Sequence, residues 1–146
     1  MKKIMIALIF CFVLPAAYAQ MDNPLKQGMP NTVTLSNGDV VYDLNGEWNA
    51  FLEIGMYGTN RDILKIEQEG KNFVGTKLIG NEFSSKGTEL IKGVLEKDRF
   101  KSIFGLGRGV GYADSTGEIS ENGNKIIIKI PVESEGFTVI VKLTRR

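Results

Sequence analysis

The sequence predicts an all-β protein: an eight-stranded antiparallel up-and-down barrel, preceded by a short β-hairpin and a cleavable signal peptide. Three observations carry this. From Gly46 onward, apolar and polar residues alternate at a period of two through successive short runs. No long stretch of that region holds a 3.6-residue apolar period, so essentially no helix is expected there. The connections between runs alternate short and long, which in a meander puts every tight turn at one end and every longer loop at the other. Eight such strands would leave sheet edges exposed unless they close on one another.

The first residues read as a targeting signal. Lys2 and Lys3 precede an apolar run from Ile4 to Leu14, Pro15 breaks it, and Ala17-Tyr18-Ala19 has the small-x-small form cleaved before Gln20. The run is shorter than the ~20 residues a membrane-spanning helix needs. Cys11 lies inside it rather than after small residues at its end, which argues against a lipid anchor. The expected organisation is therefore a signal peptide over 1–19, a tail and hairpin over 20–43, and the barrel over 44–146. The expected compartment is the periplasm or the external medium.

Gln20 to Asn31 contains Pro24, Gly28 and Pro30 without periodicity and reads as an irregular tail. Thr32–Ser36 and Asp39–Tyr42 flank Asn37-Gly38, a strong hairpin signal in which both turn residues are expected at positive φ. The barrel strands are expected at Glu47–Ile54, Asp62–Gln68, Asn72–Ile79, Thr88–Glu96, Arg99–Phe104, Thr116–Ser120, Lys125–Ile130 and Phe137–Thr144. Tight turns fall at 69–71, 97–98 and 121–124, and longer loops at 55–60, 80–87, 105–115 and 131–136. Gly75, Gly93 and Gly117 sit inside strands, where glycine marks a bend or a close approach.

Removing 19 of 146 residues leaves 127, enough for one domain with a sizeable core. Lys2 and Lys3 leave with the signal, so 16 basic residues face 17 acidic ones and the net charge is −1. No block of one sign supports a nucleic-acid footprint. With no Cys after position 19 and no His anywhere, disulfides, the usual general base and the usual metal ligand are all missing. Outward positions carry Glu47, Glu53, Lys65, Glu67, Lys125 and Lys129, where a lipid-facing barrel needs an apolar band.

Gly46-Glu47-Trp48 at the start of the first barrel strand, with Thr144-Arg145 closing the last, resembles the calycin superfamily of lipocalin-like and avidin-like barrels. The small bacterial lipocalin-like domains are the most similar group. The resemblance covers about 44–146 and implies that Trp48 packs at the closed end beneath Arg145, a cation–π pair that anchors the fold. It departs from the family in having no T-D-Y-like motif before the 121–124 turn and no helix after the last strand. A single Trp does not supply the aromatic box that avidin-like barrels use for biotin.

Gly105-Leu106-Gly107-Arg108-Gly109-Val110-Gly111-Tyr112 has the glycine spacing of a nucleotide loop but no following helix, so a flexible loop at the open end is the expected reading. Met56, Tyr57, Phe83, Leu106 and Tyr112 fall in the long loops, either as ligand rim or as cover for the mouth. With Ile54, Phe73, Phe104 and Arg108 they form the candidate ligand site. An interior lined by residues such as Leu52, Leu64, Ile66, Phe100, Ile128 and Val139 is either filled by its own side chains or holds one small ligand. Ser84-Ser85 has no His to activate it, and Glu67, Glu69, Glu133 and Glu135 read as solvated carboxylates, so catalysis is not expected. No cofactor or metal is called for. The functional expectation is an exported, non-catalytic barrel that binds a small, mainly apolar molecule at its long-loop end. The alternative is a protein-binding or protease-inhibitor-like barrel acting through its loops or N-terminal tail.

Overall fold

The structure, a computed structural model, describes residues 30–82, 84–107 and 111–146. The expected signal peptide and most of the tail lie outside these residues. Ten strands follow: β1 (Thr32–Thr34), β2 (Val40–Tyr42), β3 (Gly46–Glu53), β4 (Thr59–Glu69), β5 (Asn72–Lys77), β6 (Glu89–Glu96), β7 (Arg99–Gly105), β8 (Tyr112–Ser120), β9 (Lys125–Val132) and β10 (Phe137–Arg145). β1 and β2 form a separate two-stranded ribbon, while β3 to β10 close into an antiparallel barrel whose last strand pairs with its first. The only helical pieces among the described residues are single 3-10 turns at Gly55–Tyr57 and Glu121–Gly123. No helix among them is long and apolar enough to cross a membrane.

Closure follows from the alternation. Trp48, Ala50, Leu64, Ile66, Ile126, Ile128, Ile130, Val139, Val141 and Leu143 all turn inward and are buried. The barrel satisfies the ladder hydrogen bonds that an open edge would leave unpaired.

Two strand starts depart by three or more residues from the sequence expectation, while β5 ends two residues early at Lys77 and β9 runs two residues further to Val132. β8 begins at Tyr112 rather than Thr116, because Ala113 and Ser115 face inward as small residues opposite Phe104 and Ser102. Their low hydropathy hid the alternation. β4 begins at Thr59, three residues early, where Asn60 and Asp62 occupy its inward positions. Both long loops are shorter as a result. The ribbon turn also differs: Gly38 alone takes a positive φ, and Gly38 N donates to Leu35 O, with Asn37 Oδ1 accepting from Asp39 N.

The strand glycines mark close approach of side chains. Phe73 is directly opposite Gly93 and Phe100 directly opposite Gly117, so each ring lies across the glycine of the neighbouring strand. The two rings meet edge-on with centroids 5.0 Å apart. A Cβ at Gly117 would fall within the Phe100 ring. Gly117→Ala should therefore cost about 1–3 kcal/mol through overpacking. Adding Phe100→Leu should recover part of that loss. Urea unfolding of the single and double variants checks this, and an additive result would show that the two sites do not share a space.

The short-turn end is sealed by the ribbon and the segment that follows it. Val41 and Leu44 are buried against the core. Trp48 Nε1 donates to Leu44 O at 2.9 Å, and Gln68 accepts from Leu44 N while donating to Tyr42 O and Gly70 O. Arg145 lies with its guanidinium 4.5 Å from the Trp48 ring centroid and donates to Asp43 O and Asn45 O. Burial pulls its pKa below the ordinary value. Lys71, in the turn between β4 and β5, pairs with Asp39 of the ribbon turn, and that hydrogen bond holds the Asp39 carboxyl below the usual carboxylate range. This tie is present above that range and is lost as the pH falls through the lowered value.

Candidate functional site

The opposite end carries the long loops, and there the expected site residues separate into groups. The chain leaves β3 at Ile54, whose N–H donates to Gly58 O, and Tyr57 N donates back to Ile54 O. Gly55 makes this tight 3-10 turn possible with φ of +48°, a conformation that side chains rarely adopt. The turn throws Met56 and Tyr57 outward, 91% and 65% exposed. The Tyr57 ring rests on Phe137 with centroids 5.6 Å apart. Ile54 is half-buried and packs on the core.

Leu106 and Tyr112 form a second group. Leu106 N donates to Gly111 O, which draws the ends of the glycine-rich loop together. Strands flank that loop on both sides, so the strand-to-helix setting of a nucleotide fingerprint is replaced by a hairpin connection. Tyr112 is 54% exposed, and its hydroxyl donates to Glu89 O at 3.1 Å. It belongs to β8 rather than to the loop, as a consequence of the earlier start of that strand. Beside it, Glu89 pairs with Lys92, and this bond raises the lysine pKa.

Phe104 is buried inside the barrel, opposite Ala113 on one side and Ile91 on the other. Phe73 lies apart from the loop group: β5 starts directly after the Gly70-Lys71 turn, so its first inward residue sits at the sealed end. Phe83 and Arg108 lie outside the described residues.

The interior holds polar pairs that the alternation had hidden. Asp62 and Lys77 form an ion pair at 2.5 Å with side chains 6% and 2% exposed. Asp62 precedes Leu64 on the inward face of β4, and Lys77 faces Leu64 as the last residue of β5. Read as a strand, 72–79 places Lys77 on the same face as Phe73 and Gly75, and that parity was the available signal. Ser102 and Ser115, directly opposite each other, share a buried hydroxyl hydrogen bond at 2.7 Å, and Ser115 Oγ also donates to Ser102 O. Among the described residues no group of three acidic, His or Cys side chains is placed to hold a metal ion.

One end of the barrel is thus closed by Val41, Leu44, Trp48 and Arg145, and the other presents exposed apolar side chains on connections between strands. No protein-family model, curated protein or solved structure matches this chain.

Proposed function

We propose that the chain is an exported, non-catalytic, lipocalin-like member of the calycin superfamily that binds a small, mainly apolar molecule at its long-loop end. The observation that carries the reading is the exposure of Met56, Tyr57 and Tyr112 on that end, against complete burial of Trp48 and Leu44 at the other. Apolar side chains held in water at one rim of a closed barrel are suited to cover an apolar guest. The Gly46-Glu47-Trp48 and Thr144-Arg145 pairing supports the family, and the Lys2-Lys3 start with Ala17-Tyr18-Ala19 supports export to the periplasm or beyond. The charged outer wall supports a barrel that is not embedded in lipid. The absence of His from the whole sequence supports a binding rather than a catalytic role.

The test is native mass spectrometry and dye displacement on residues 20–146. The expected result is saturable uptake of a neutral hydrophobic probe, reduced several-fold by Met56→Ser with Tyr57→Ser, with stability lowered by no more than about 1 kcal/mol through loss of the Tyr57–Phe137 contact. Uptake should persist when residues 20–29 are deleted. No uptake of any probe would sink the reading. Loss of a protein partner on the same deletion, with the barrel intact, would favour the tail-mediated alternative.

A further inference from the structure

The outer wall of the barrel carries a concavity that shares no lining residue with Met56, Tyr57, Leu106 or Tyr112. Its floor is a grid set by strand register. Lys142, Phe51 and Arg61 stand directly opposite one another on β10, β3 and β4, and Thr144, Asn49 and Ile63 form the next row toward the sealed end. These positions alternate with Trp48, Ala50 and Leu64, so they face away from the core. The segment 79–81, leaving β5, forms one flank, and Lys125 closes the groove beside Thr144. The groove is open to solvent on one side and offers a volume of about 660 Å³, within the range of small-molecule sites.

The flank is built rather than loose. Leu78 N donates to Ile63 O, Asn81 N to Ser84 O, and Ser84 N to Asn81 Oδ1. Just before it, the Asp62–Lys77 pair ties the end of β5 to β4 from inside the barrel.

The charges in the groove are unequal in their freedom. Lys142 is bound to Glu53 at 2.6 Å and Lys125 to Glu121 at 3.0 Å. Asp62, next to Arg61 in sequence, is turned inward onto Lys77. Arg61 has no carboxylate partner among the described residues; its guanidinium lies 5.8 Å from the centroid of the Phe51 ring. Three cations and two outward carboxylates leave a net charge of one positive unit, centred on a planar fork suited to a carboxylate. Glu53 and Glu121 disfavour a doubly charged head group by like-charge repulsion. Phe51, Ile63 and Ile79 supply the apolar surface beside the fork.

We infer that this outer groove binds an amphiphilic monocarboxylate, with its carboxylate on Arg61 and its apolar body along Phe51, Ile63 and Ile79. This site shares no side chain with the one formed by Met56, Tyr57 and Tyr112 and stands or falls independently of it.

The test titrates decanoate, with neutral 1-decanol as control, into the 15N-labelled protein. The expected result is saturable decanoate-dependent shifts at the amides of Asn49, Phe51, Arg61, Ile63 and Gly80. Arg61→Gln should weaken decanoate at least about ten-fold, the scale of a lost charge-assisted pair, and leave decanol almost unchanged. The Arg61 side chain lies on the outer wall, so the rest of the spectrum should be preserved. Decanoate shifts confined to 54–58 and 105–112 would overturn the groove while supporting the loop-end site. Absence of saturable shifts, or an affinity indifferent to Arg61→Gln, would overturn the groove outright.

Discussion

Removing either member of the Asp62–Lys77 pair alone should lower the unfolding free energy by about 3–5 kcal/mol, because the surviving charge stays buried without its partner. The side chains are 6% and 2% exposed and 2.5 Å apart, so water cannot replace the missing group without opening the barrel wall. Asp62→Asn should be the milder change, since an amide oxygen still accepts from the ammonium. Lys77→Met keeps the chain volume but strands a carboxylate among Leu64 and its apolar neighbours. The combined Asp62→Leu, Lys77→Met variant should recover most of the loss, because an apolar pair of similar volume avoids desolvating two ions. Urea unfolding of the wild type, Asp62→Leu, Lys77→Met and the double variant closes the cycle. Equal and additive losses would show that the two groups act independently, against the geometry.

Trp48→Ala should cost a similar ~3–5 kcal/mol. Trp48 is wholly buried, and its loss removes the Nε1 bond to Leu44 O and the face on which Arg145 stacks. Arg145 would keep its bonds to Asp43 O and Asn45 O but lie over a cavity. Trp48→Phe should retain much of the packing and lose mainly the hydrogen bond, roughly 1–2 kcal/mol. Far-ultraviolet circular dichroism is the appropriate probe, because Trp48 is the only tryptophan. Uptake of probes at the loop end should be unaffected under conditions where the variant remains folded. A variant of undiminished stability that failed to bind would reverse the assignment of Trp48 from anchor to ligand contact.

Several site features were legible in the residues. The closed-end placement of Trp48 beside Arg145 was readable because a lone Trp after Gly46 and an Arg at the end of the last strand share one barrel end once the loop lengths are ordered. The inward set of β9 and β10 was readable because Ile and Val repeat there at a strict period of two. The start of β8 was not, since Ala113 and Ser115 are inward yet give no hydrophobic signal. The place of Phe73 was obscured for another reason: an inward aromatic residue shows its face but not its height in the barrel, which depends on where the turn before β5 falls.

The order of the strands, the tight and long ends, and the ribbon were determined by the sequence itself, because side-chain alternation and turn chemistry are local and leave a direct trace in residue order. Only the tertiary structure decided what meets across the closed sheet. Phe100 over Gly117, Asp62 against Lys77, and the row of Lys142, Phe51 and Arg61 depend on register between strands, and β10 meets β3 only on closure. Register is set cooperatively by filling the whole interior, so no single stretch of sequence encodes it.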